Sequence, residues 1–454
     1  MSPAQPLSLN PSMRVEPFDS ASLEPMVLCE VPAADRRTSR FAVPRTIWEF
    51  ASTFDGRTST ADLVSSYCAT HPSHTSERLE RLVDGFLVAR GVLVGDRPVQ
   101  TKRATRSSYL GLRVALIPSS VVNVIGRGLG VLFRREAVLP ALVATIAVQA
   151  WFFFGVRPHA TLSSKPLTGG DALIVMGLVS FGSLIHELGH ATAGVRYGCR
   201  KITIGWGVYW YFMVLYTDLS EAWRLTRRQR VVLDVAGVYF QLLYLCAITV
   251  WYHETGWRLL LYCILLSDLA IASYVSPFFR LDGYWLVSDS LGIANLRQQA
   301  GALMARAVVM IRRPDRRGDA AIGLGLDRRA TIALTAYAVA SVGFFAWMWF
   351  AVLSRFGATL FATYPETLGR LWLAVAHRAG ALHIFLAVVD LTWRSMAVVG
   401  ICLFFYRGGR ALLVGARRVV AGLRAPRTDE RPIEHERIAL GSDHTDTITA
   451  SLSS

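Results

Sequence analysis

The chain has 454 residues, of which 52% are hydrophobic and 18% charged, with a mean hydropathy of +0.36. A soluble chain is closer to a quarter charged, so the balance excludes a wholly disordered protein and points to membrane insertion. The net charge of +15 is accounted for first by Lys and Arg in cytoplasmic loops, and six scattered cysteines without a CxxC exclude a disulfide framework and favour a reduced compartment.

Residues 1–39 are polar, contain Pro3, Pro6 and Pro11 and have no apolar signal-peptide core, so they read as a flexible cytoplasmic N-terminus. Residues 40–95 read as a small soluble unit. Ile47, Phe50 and Phe54 keep helical spacing before Asp55-Gly56 breaks the chain. Ser59 or Thr60 can cap a second helix carrying Leu63, Val64 and Tyr67. A third helix aligns Leu79, Leu82, Val83, Phe86 and Leu87, and Val92 to Val94 follows as a short strand. Three small helices and a strand predict a winged-helix-like domain. Residues 96–136 are basic with interleaved apolar positions and read as a linker on the membrane surface.

Residues 137–406 carry the membrane core. Apolar runs at Ala137–Val156, Ala172–Val195, Val231–Tyr252, Leu259–Phe279, Ala330–Leu353 and Leu382–Tyr406 are each near the roughly 20 residues that cross a bilayer. The expected architecture is therefore an all-α polytopic membrane protein of about six transmembrane helices. Arg196, Arg200, Lys201, Arg224, Arg227, Arg228 and Arg230 cluster in one loop, and Arg297 to Arg329 hold the next basic cluster. By the positive-inside rule these loops and both termini face the cytoplasm of a cell membrane. Residues 407–454 turn from basic to polar and read as a disordered tail.

The second run contains His186-Glu187-Leu188-Gly189-His190. Two His at i and i+4 share a helix face and can reach one metal ion, and the Glu between them can take a proton from water at that metal. The alternative is a pair of structural histidines, but three ionisable groups in a membrane span are costly to retain without a role. Asp282, in Phe279-Arg280-Leu281-Asp282-Gly283-Tyr284, is the candidate third ligand, because the second and fourth spans both run inward and end on the same side. Its plainer reading is a turn carboxylate before Gly283. Cys199 and Asp218 are further polar candidates without a partner motif. Ile202 to Phe212 is aromatic and Gly-interrupted, too short to span. On composition it reads as an interfacial aromatic belt. Asp390 and Arg394 read as a structural pair, and Asp268 has no assigned role.

With these motifs in hand, the chain resembles the site-2 protease family of membrane metallopeptidases over roughly residues 103–289. The closest subgroup is that of putative peptide zinc metalloproteases in modified-peptide biosynthesis, daptide-like systems among them. The resemblance implies one Zn²⁺ per chain bound by His186, His190 and Asp282, with Glu187 as general base. It also implies that Ile202–Phe212 is a re-entrant β-like loop beside the zinc, offering an edge to an extended substrate. Ser276-Pro277 stands where that family commonly has Asn-Pro. Ile47-Trp48-Glu49-Phe50, Thr60-Ala61-Asp62-Leu63 and Leu87 to Leu93 are similar to PqqD-like leader-recognition domains. A generic or DNA-binding winged helix is the alternative, but no basic recognition helix supports nucleic acid.

The implied activity is a zinc endopeptidase at or within the membrane that removes the leader of a hydrophobic, ribosomally made precursor peptide. A regulatory protease acting on a membrane-bound signalling protein, and a non-catalytic zinc-bound immunity or export scaffold, are the alternatives. The expected partners are the precursor peptide and membrane lipid.

Overall fold

A computed structural model describes residues 6–32, 38–72, 75–95, 110–156, 169–209, 212–312, 326–352, 354, 358–378 and 380–424. The first strands lie where a flexible terminus is expected. They are β1 (Pro6–Leu9), β2 (Arg14–Phe18) and β3 (Met26–Pro32), followed by β4 (Thr38–Pro44). β2, β3 and β4 form one antiparallel sheet in that order, with Arg14 opposite Glu30 and Cys29 opposite Phe41. The prolines do not break these strands because of where they stand. Pro6 opens β1, and Pro17 lies on the edge strand β2, where a missing N–H is tolerated.

Helices α1 (Arg45–Ala51), α2 (Thr60–Thr70) and α3 (Ser76–Leu82) follow the expected spacing, with Ser59 capping α2 through the Asp62 N–H. Between α1 and α2, Asp55–Ser59 is a strand, β5, rather than only a break. It pairs with β1, and Gly56 at φ +76° sits where a Cβ would press on Ser8. The expected last strand is β6 (Leu93–Val94), on the other side of β1. One core joins the two sheets and three helices, through Leu7, Cys29, Phe41, Phe50, Leu87 and Leu93. Among the described residues the N-terminal unit thus has six strands and three α-helices, the last continued by a wider helical turn at Val83–Val88, and is richer in sheet than the expected three helices and a strand.

Two more elements occupy the expected linker. β7 (Leu110–Ile117) and α4 (Ser119–Leu129) precede the first long apolar helix. Residues 96–109 lie outside the described residues. β7 pairs with β8 (Thr203–Tyr209), which pairs with β9 (Phe212–Asp218), giving the order β7-β8-β9. The aromatic loop is therefore a hairpin, and its sheet is completed by a strand from far upstream.

Five helices among the described residues are long and apolar enough to cross a membrane: Arg135–Val156, Gly170–Arg196, Arg227–Thr255, Arg258–Val275 and Arg328–Ala351. We number their helical parts α5 (Arg135–Trp151), α6 (Gly169–Arg196), α7 (Arg227–Thr255), α8 (Arg258–Val275) and α11 (Arg328–Ala351). The two short helices α9 (Asp282–Leu291) and α10 (Leu296–Arg312) separate α8 from α11. The fourth run stops at Val275 instead of Phe279, because Pro277 disfavours helix in the residue before it.

The sixth expected span falls in α13 (Ala381–Arg424), which follows α12 (Ala358–Ala376). Among the described residues five of the six runs stand as span-length apolar helices, and the sixth lies within this one continuous helix. The helix continues through Arg407–Arg424, where a disordered tail is expected. Residues 425–454 and the side chain of Arg394 lie outside what is described.

α6 and α7 pack backbone to backbone. A Cβ at Gly189 would lie 2.3 Å from the Ala236 carbonyl oxygen, so only glycine admits this approach. A capping box at Thr226 and Gln229 starts α7, and Gly256 in the left-handed region ends it. This close pair sets the frame for the polar centre between them.

Candidate metal centre

His186, Glu187 and His190 project from the last third of α6 into the bundle, 1%, 4% and 4% exposed. Asp282 is the first residue of α9 and is also buried. α9 starts there because the chain leaves α8 at Ser276-Pro277 and turns back. Gly283 allows the return, since a Cβ would lie 2.1 Å from the Val275 carbonyl oxygen.

The three sequence-predicted ligands meet. His186 Nε2 is 3.1 Å from His190 Nε2 and 2.9 Å from Asp282 Oδ2, and His190 Nε2 is 3.5 Å from the same oxygen. The other ring nitrogens have partners of their own. His190 Nδ1 lies 2.8 Å from the Leu233 carbonyl, which can only accept, and His186 Nδ1 lies 3.0 Å from Gln241 Oε1. Nδ1 of each ring is thus turned to these oxygens, and Nε2 is the atom turned toward Asp282. Asp282 Oδ2 has no hydrogen-bond donor of its own. Two ring nitrogens and a carboxylate oxygen converging on one buried point form a group that a cation would join.

The spacing and the space both fit such an ion. Tetrahedral ligands about 2.0 Å from zinc stand roughly 3.3 Å apart, and the observed separations bracket that value. Gly237 of α7 faces the cluster, and a Cβ there would lie 2.4 Å from His190 Nε2 and 2.6 Å from His186 Nε2. The buried group His186, His190 and Asp282 can thus hold a metal ion.

Glu187 points to the β-hairpin side. Its Oε2 accepts a 2.6 Å hydrogen bond from the Thr217 hydroxyl of β9. The ring of Tyr274 lies 4.4 Å from that of His186. Cys199 instead packs in the core beneath the hairpin, and Asp218 accepts from Ser220 on its own turn; neither joins the metal group. Asp268 is likewise outside it, and Ser276 Oγ is buried without a hydrogen-bond partner.

Gln241, Leu233, Gly237, Thr217 and Tyr274 were not singled out by sequence reasoning. One signal was available: Asp234, Gly237 and Gln241 share a face of an otherwise apolar span.

Behind the ligands lies a second buried charge cluster. Arg230 of α7 binds Asp289 of α9 at 2.7 Å, and the buried Asp234 of α7 lies close to both. Burial pushes the Asp289 carboxyl up despite Arg230. In comparisons with protein families, with curated proteins and with solved structures, this chain gives no match.

Proposed function

We propose that this protein is a membrane zinc endopeptidase. The observation that carries the reading is the convergence of His186 Nε2, His190 Nε2 and Asp282 Oδ2 beside the buried carboxyl group of Glu187. Three N and O donors with an open fourth position are the donor set of hydrolytic zinc. When bound, zinc would supply Lewis acidity toward a water molecule and a peptide carbonyl.

The protein groups do the rest. His186 and His190 are held in one orientation by Gln241 and Leu233, so their rings need no rearrangement to bind. Glu187 accepts a proton from the attacking water and returns it to the leaving amine. Thr217 steers one carboxylate oxygen of Glu187 and leaves the other for that exchange. Low water content around the buried site strengthens each of these interactions.

The substrate is a hydrophobic precursor peptide cut close to the membrane, and the N-terminal unit recognises its leader. The span-length helices and the small α+β unit support this division of labour. The edge of the β7-β8-β9 sheet beside Glu187 suits an extended peptide. The basic end of the bundle, at Arg224 to Arg230, faces the cytoplasm in this reading.

The test is hydrolysis by the purified chain in detergent, with labelled casein and a membrane-span peptide as substrates. Wild type should cleave at least one of them and be inhibited by a zinc chelator, and Glu187→Gln should lose 10²-fold or more in kcat. Equal cleavage by the two proteins contradicts the proposal.

A further inference from the structure

The N-terminal unit does more than sit beside the membrane helices. Phe18 at the end of β2 stacks on Trp223 with ring centroids 5.5 Å apart. Glu30 of β3 and Glu16 of β2 pair with Arg224. Asp19 Oδ2 accepts from the Arg227 backbone N–H at 3.0 Å, and the Ala21 N–H donates to the Gly292 carbonyl at 2.9 Å. These bonds fall on the start of α7 and the end of α9.

Arg230 is the centre of the joint. Its side chain is 3% exposed, and it donates to Asp289 of α9 at 2.7 Å, to the Leu225 carbonyl at 2.8 Å and to the Asp19 carbonyl at 3.1 Å. Its guanidinium also lies 5.2 Å from the Phe18 ring centre. Arg227 adds a 2.7 Å bond to the Ser290 carbonyl. One turn after Arg230 on α7 comes Leu233, whose carbonyl orients His190, and then Gly237 and Gln241. Two turns before Asp289 on α9 comes Asp282 itself.

We infer that the N-terminal unit is part of the scaffold of the metal centre. Residues 18–21 lock α7 and α9 together, and this lock holds Asp282 at its distance from the two imidazoles. Arg230, Asp19 and the Gly292 turn are positioning residues. The inference rests on the proposed metal site. Its physical basis is that α9 is a stiff rod of about 15 Å, so tilting its far end displaces its first residue. A metal site tolerates about 0.5 Å of such displacement. Gly292 shows how tight the joint is: at φ +65°, a Cβ would lie 2.7 Å from both the Ala21 nitrogen and the Arg227 guanidinium.

The experiment measures zinc affinity of the full chain in detergent by chelator competition, together with kcat and KM on labelled casein. Gly292→Ala drives a wedge into the joint, and Asp19→Ala removes one exposed acceptor with little effect on folding. Ser59→Ala, which unties a helix cap elsewhere in the N-terminal unit, is the control. Gly292→Ala should bind zinc about 10-fold more weakly, the size of effect seen for groups that orient ligands. It should lower kcat more than it raises KM. Asp19→Ala should move the same way by a smaller factor, and Ser59→Ala should match wild type. If Gly292→Ala does not fold, Asp19→Ala decides. Wild-type zinc affinity in a folded Gly292→Ala or, failing that, in Asp19→Ala overturns the inference and leaves the metal site standing. Absence of zinc from wild type removes the proposed function and this inference with it.

Discussion

At the scale of single residues, the centre depends on what is missing as much as on what is present. Gly237 leaves the space into which both Nε2 atoms point, so Gly237→Ala should abolish metal binding while the helices still pack. Metal content of the purified variant checks this; a full complement of zinc would show that the ion sits elsewhere. Gln241 acts at one remove, by holding His186 through Nδ1. Gln241→Leu should weaken zinc by 10- to 100-fold and leave the fold intact, read by the same chelator competition. The HExxH triplet was legible in the sequence because its geometry is local, one helical turn. Gly237, Gln241, Leu233 and Thr217 were not, because they reach His186, Glu187 and His190 from 30 to 55 residues away along the chain.

At the scale of elements, five of the six apolar runs appear as span-length helices among the described residues, since length and composition alone decide that property. Strands were harder to read. β1 finds its partners more than 45 and 80 residues downstream, at β5 and β6, and β7 joins β8 across some 90 residues. Such pairings leave no local signature, and the prolines of β1 and β2 pointed the other way.

The ion pair linking β3 to the helical core carries a pH signature. Burial favours the neutral form of Glu30, but hydrogen bonds from Arg224 and Arg40 outweigh it and hold its carboxyl below the usual carboxylate range. A folded value below the unfolded one stabilises the fold in full above the unfolded pKa of about 4.3. That stabilisation is lost as pH falls through the folded value. Thermal melting should show Glu30→Gln less stable than wild type at pH 7, with the difference shrinking below about pH 4. A constant difference across that range would mean that the pair contributes no charge-dependent stability.

At the scale of the whole molecule, the metal group lies near one end of the bundle. His190 precedes the end of α6 at Arg196 by less than two turns, and Leu233 follows the start of α7 by less than two. The same end carries the arginines that receive the N-terminal unit. Arg228→Cys and Arg417→Cys, in a background without native cysteines, should resist an impermeant thiol reagent on intact cells, while Glu254→Cys at the opposite end of α7 should react. Labelling of Arg228→Cys from outside would invert the topology. The central claim is the metal centre, and zinc stoichiometry tests it most directly. Purified wild type and Glu187→Gln should each hold about one zinc per chain, and His186→Ala and Asp282→Ala should lose most of it. Undiminished zinc in both ligand variants, or none in wild type, would contradict the account.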